Sequence, residues 1–92
     1  MRVQDQIHEI LENALSPTRL EVKDNSHLHA GHGGARPEGE THFHVTIVAD
    51  GFEGATRVAR HRQVNALLAD LLKTRVHALQ LATLTPAEDI SA

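Results

Sequence analysis

Apolar residues recur at helical spacing along the first fifteen positions. Val3, Ile7, Ile10, Leu11, Ala14 and Leu15 share one side, with Gln4, Asp5, Glu9 and Glu12 on the other. That period predicts an amphipathic helix. Ser16-Pro17-Thr18 ends it, because proline disfavours α geometry in the residue before it. Leu20-Glu21-Val22-Lys23-Asp24 then alternates as a short strand with Leu20 and Val22 inward. From Thr41 to Ala49 the alternation is clearer: Phe43, Val45, Ile47 and Ala49 share one face, and His42, His44 and Thr46 the other. The histidine face reads as solvated or helix-covered polar surface, not as a site. Asp50-Gly51 breaks this strand and Phe52-Glu53-Gly54 adds a turn. A second helix is expected from about Thr56, a candidate N-cap, to Leu72. Its apolar stripe is Val64, Leu67, Leu68 and Leu71, extended one turn back by His61. Val76 to Leu84 is apolar almost throughout, which suits a strand covered on part of both faces. Thr85-Pro86-Ala87-Glu88 predicts a final short helical turn, with proline at its first helical position.

The order is therefore α-β-β-α-β with a short C-terminal helical turn, an α/β (α+β) chain. The first two strands can pair antiparallel, and the helix between the second and third is a crossover long enough to make those two parallel. Helices would cover one face of a mixed three-stranded sheet, the arrangement of the class II KH-like fold. Between the first two strands, residues 25–41 hold four glycines, a proline and no periodicity. Long structureless loops in compact domains are uncommon and often functional.

Ninety-two residues suffice for one domain, 1–92, and not for two independent cores. With no cysteine there is neither a disulfide nor a thiolate metal site, so stability must come from aliphatic packing, a core of Leu, Val, Ile and Ala. No apolar run approaches the roughly 20 residues that a membrane span needs. The N-terminus lacks the long apolar region of a secretory signal, so a cytoplasmic protein with no membrane partner is the expectation. The net charge of -3 is unevenly spread: residues 1–54 carry nine acidic and four basic side chains. Residues 55–77 carry Arg57, Arg60, Arg62, Lys73 and Arg75 against Asp70 alone, a modest hint of an anionic partner.

Eight histidines stand out: His8, His27, His29, His32, His42, His44, His61 and His77. Imidazole is a proton switch or a metal ligand. His27, His29 and His32 form an H-x-H-x-x-H string that zinc, copper or nickel would accept, though it lacks the closed four-ligand set of structural zinc. A solvated polar loop is the alternative. Arg60-His61-Arg62 near a helix start invites phosphate contact, against the helix dipole, which favours anions there. Solvated arginines with His61 against the core are the competing reading. Gly51-Phe52-Glu53-Gly54 fits the GxxG pattern of KH nucleic-acid loops, but Glu53 opposes phosphate and the aromatic residues that single-strand stacking needs are scarce. No nucleophile, serine elbow or paired carboxylates suggest catalysis, so an enzyme is not expected.

Several motifs, taken in order, resemble the BolA family over nearly the whole chain. They are Asp24-Asn25-Ser26-His27-Leu28-His29-Ala30-Gly31-His32 with Gly39-Glu40-Thr41-His42-Phe43, then Phe52-Glu53-Gly54, Arg60-His61-Arg62-Gln63-Val64, Val76-His77-Ala78-Leu79 and Thr85-Pro86. The resemblance implies a KH-like fold and partnership with a monothiol glutaredoxin, sharing a [2Fe-2S] cluster with glutaredoxin cysteine and glutathione. The implied ligands are His77 of the last strand and, by its position before Ala30, His29 of the loop. His27 and His32 are further loop candidates, and a backbone-bonded structural histidine is the alternative role for His77. Two imidazoles can replace two thiolates on one iron, as in Rieske centres, but cannot saturate two irons. The remaining ligands would come from a cysteine-bearing partner, with no cluster held tightly by the isolated chain. The resemblance also implies, as a second function, transcriptional regulation through DNA binding by the basic helix 56–72, with Arg57, Arg60, Arg62 and Lys73 as phosphate contacts. Alone, the chain is expected to be a monomer or weak homodimer.

Overall fold

The computed structural model describes residues 2–25 and 42–91. The elements run α1 (Val3–Leu15), β1 (Arg19–Asp24), β2 (His42–Val48), α2 (Arg57–Leu67), α3 (Ala69–Thr74), β3 (Ala78–Leu84) and α4 (Pro86–Ser91), with a 3-10 turn at Asp50–Phe52. The sheet order is β1-β2-β3. β1 pairs antiparallel with β2, setting Leu20 against Ile47 and Val22 against Val45. β2 pairs parallel with β3, setting Phe43 against Leu79 and Val45 against Leu81. The expected mixed sheet and α-β-β-α-β order are thus present.

Alternation puts Leu20, Val22, Phe43, Val45, Ile47, Leu79 and Leu81 on one face of the sheet. Against it α1 buries Val3, Ile7 and Leu11, and α2 and α3 bury Val64, Leu68 and Leu71 in the same cluster. At roughly 1.5–3 kcal/mol per fully buried large aliphatic or phenyl side chain, this layer is the main stabilising contribution. The core is not purely aliphatic: Phe43 and Phe52 are 2% and 0% exposed, and Phe52 turns inward from what the sequence presents as a surface turn. Gly54 follows at φ +78, a left-handed conformation that suits glycine and lets the chain swing from that turn to α2.

Three expectations are corrected. The helix foreseen as continuous to Leu72 is divided at Leu68 (φ -100, ψ 12), although its apolar spacing is that of an unbroken helix. The stripe of α2 is extended inward by Arg60 and not by His61: Arg60 is 6% exposed, while His61 is half-buried. β3 begins at Ala78 and is a half-exposed edge strand, with Ala78 and Gln80 open to solvent. Only β2 is central, and its mostly buried pattern reflects neighbours on both sides. No helix among the described residues is long and apolar enough to cross a membrane.

Candidate functional site

Parallel pairing of β2 and β3 sets His42 opposite Ala78, so His77 arrives at the same corner of the sheet. Val76, 5% exposed, fixes that arrival: its amide donates to the Leu71 carbonyl at 2.8 Å. The rings of His77 and His42 lie 5.1 Å apart, tilted by 51°. His77 is exposed, whereas His42 is buried at 8%. A buried imidazole behind an exposed one gives the outer ring a firm backing and leaves its nitrogens accessible.

The same corner holds Asn25 and His42, which flank the segment 26–41. The Asn25 amide donates to the His42 carbonyl at 2.7 Å, closing the two ends of the segment 26–41. His27, His29 and His32 fall within that segment, outside the described residues. Among the described residues no group of three His, Cys, Asp or Glu could hold a metal ion. An exposed imidazole such as His77 is a nitrogen donor of the kind that one iron of a shared cluster would accept.

The basic candidates divide into two groups. Arg57, Arg62, Lys73 and Arg75 are exposed. Arg57 and Arg62, five residues apart, diverge by about 140° around the axis of α2 and so form no single row. Arg60 turns inward. Its Nε donates to the Ala55 carbonyl (3.0 Å), and its Nη1 donates to the Thr83 carbonyl (3.1 Å) and to Glu88 Oε1 (2.7 Å). Its guanidinium also lies 5.8 Å from the Phe52 ring centroid. Thr56 caps α2 as expected, its hydroxyl accepting from the Ala59 amide at 3.1 Å. In the GxxG stretch Phe52 is fully buried and so offers no stacking surface.

Sequence reasoning missed His42 and the partners of Arg60. Parity in a strand assigns a face but not how the end of that face is covered. A signal for Glu88 was present: Thr85 and Glu88 form a capping box, the Thr85 amide donating to Glu88 Oε1 (2.8 Å) and the Glu88 amide to Thr85 Oγ1 (3.2 Å). Donation from Thr85, then from Arg60, lowers the pKa of Glu88 below its ordinary value. The neighbouring Asp89 is lowered by Arg19, whose Nη2 lies 2.6 Å from Oδ1. Adjacent acids thus fasten α4 to α2 on one side and to β1 on the other.

A family profile described as BolA-like protein matches residues 11–88. Protein BOLA1, chloroplastic, of Arabidopsis thaliana is 46% identical over 92% of this chain, which spans 54% of that relative's length. The DNA-binding transcriptional regulator BolA of Escherichia coli is 41% identical over 96% of this chain and 80% of its own. Among solved structures, BolA1 from Arabidopsis thaliana superposes with a TM-score of 0.85 at 40% identity, covering 96% of each chain. These names are those of BolA proteins and a regulator, and none names an enzyme.

Proposed function

Because the chain belongs to the BolA-like protein family, we propose that it is an adaptor that binds a monothiol glutaredoxin and shares a glutathione-ligated [2Fe-2S] cluster. The role is cluster trafficking or iron and redox sensing. One observation carries this reading: the exposed His77 stands on His42, whose carbonyl accepts from the Asn25 amide, at the corner where the segment 26–41 leaves and rejoins the sheet. His77 on the scaffold and the histidine at position 29 that the family resemblance implies would make an incomplete donor set, and the chain contains no cysteine to complete it. Thiolates from glutaredoxin and glutathione supply what is missing. Lys73 and Arg75, exposed just before His77, favour the approach of glutathione's carboxylates.

The test is titration with a glutathione-loaded, cluster-bearing monothiol glutaredoxin, followed by visible absorption and circular dichroism. Wild type changes both spectra, and His77→Ala forms the complex without that change. A His77→Ala complex with the wild-type spectrum would remove the ligand assignment, and no complex with wild type would remove the adaptor reading.

A second reading, a DNA-binding regulator, is favoured by the exposed Arg57, Arg62, Lys73 and Arg75 and by similarity to the DNA-binding transcriptional regulator BolA of Escherichia coli. Phosphate contacts predict an affinity that falls steeply with salt. DNA affinity indifferent to salt, or to Arg57→Ala with Arg62→Ala, would exclude it.

A further inference from the structure

The sheet has two edges, and they differ in chemistry. β1 carries Arg19, Glu21 and Lys23 exposed along it, the charges with which natural sheets discourage pairing. β3 carries none. From Val76 to Ala87 the only titratable side chain is His77. The segment Ala78-Leu79-Gln80-Leu81-Ala82 moreover reads the same in both directions about Gln80.

Backbone direction makes that palindrome usable. The Leu84 carbonyl accepts from the Ala49 amide at 3.0 Å, so the even-numbered residues of β3 turn their peptide groups toward β2. The odd-numbered residues, Leu79, Leu81 and Thr83, turn theirs outward. Arg60 takes the Thr83 carbonyl from that outer side, which agrees with the parity. Among the described residues, the free stretch of edge is therefore the palindrome itself.

We propose that β3 is a self-association edge on which a second copy of this chain pairs antiparallel about a two-fold axis at Gln80. In that register Leu79 faces the second copy's Leu81, and each such pair exchanges both backbone hydrogen bonds. Ala78 faces Ala82, small against small. Gln80 faces its own symmetry mate at a non-hydrogen-bonded position, on the face of the sheet away from the helices. Half-buried Leu79 and Leu81 cover one another on the other face. A closed isologous pair results, joining two three-stranded sheets into one. Because Arg60 ends the free edge at Thr83, the contact is short and the association reversible. His77 lies one residue outside the pairing, so the homodimer and any partner reaching for His77 compete. The dimer does not itself depend on a cluster.

Substitutions at the exposed Gln80 test the two-fold directly without disturbing the core. The full chain is followed by sedimentation equilibrium across a wide concentration range. Wild type is expected to rise from monomer toward dimer mass. Gln80→Glu and Gln80→Lys, each placing like charges opposite one another, are expected to stay monomeric with unchanged far-ultraviolet circular dichroism. Their equimolar mixture regains dimer. Gln80→Cys, in a chain otherwise without cysteine, cross-links under mild oxidation many-fold faster than the Lys23→Cys control on β1. Monomer mass throughout, with Gln80→Cys no faster than Lys23→Cys, would overturn the proposal. So would a dimer that neither charged variant weakens.

Discussion

Arg60 of α2 meets Glu88 of α4 at 2.7 Å, with the arginine side chain 7% exposed and the glutamate 43%. The least exposed residue of the basic segment's cations is thus committed to holding the C-terminal helix, and it reaches across to the edge strand through the Thr83 carbonyl.

Removing the two partners should therefore have unequal costs. Arg60→Ala leaves the buried Thr83 carbonyl without its donor and is expected to destabilise by about 2 kcal/mol. Glu88→Gln, at an exposed position, should cost much less. Urea midpoints at unchanged m-value measure both, and equal costs would contradict the assignment of Arg60 as an internal brace.

Acid should loosen α4 first. Glu88 and Asp89 have folded pKa values lowered from 4.5 and 3.8. Each contributes stability that is complete above those ordinary values and is lost as pH falls through the lowered folded ones. Amide protection factors across Thr85–Ile90, corrected for the intrinsic pH dependence of exchange, are expected to fall below about pH 4 ahead of those of β2, because surface-fastened elements open with less free energy than the core. Glu88→Gln with Asp89→Asn should abolish that pH dependence.

Thr83 Oγ1 is buried with no hydrogen-bond partner among the described residues. Thr83→Val replaces an unpartnered hydroxyl with a methyl of similar shape in a strand. Stability is expected to rise by about 1 kcal/mol, read as a higher thermal midpoint.

The two histidines of the corner should separate stability from ligation. His77→Ala, at an exposed site, is expected to change stability by less than about 0.5 kcal/mol while removing the cluster signal with glutaredoxin. His42→Ala, which empties a buried position behind it, should cost about 1–2 kcal/mol in thermal or urea unfolding.

Much of this was legible because strand parity and helical period are direct images of burial. Phe43, Val45 and Ile47 announced the core face of β2, and Val3, Ile7 and Leu11 that of α1. The rest depends on contacts between distant segments. Arg60 and His61 both lie one turn before Val64, and only the Ala55 and Thr83 carbonyls with Glu88 decide which turns inward. The apolar run 76–84 reads like a covered strand, yet its place at the sheet edge is set by topology. Leu68 leaves helical geometry with no proline or glycine to mark it. His77 is singled out by family motifs, whereas its neighbour His42 reads as ordinary surface until parallel register brings the rings together.

The hydrogen bond between Asn25 and His42 separates the fate of the scaffold from that of the segment it closes. Once the two ends are tied, each doubling of the enclosed length adds only about 0.6 kcal/mol of closure entropy. The length and composition of the enclosed segment can therefore change at little cost while the three strands keep their register.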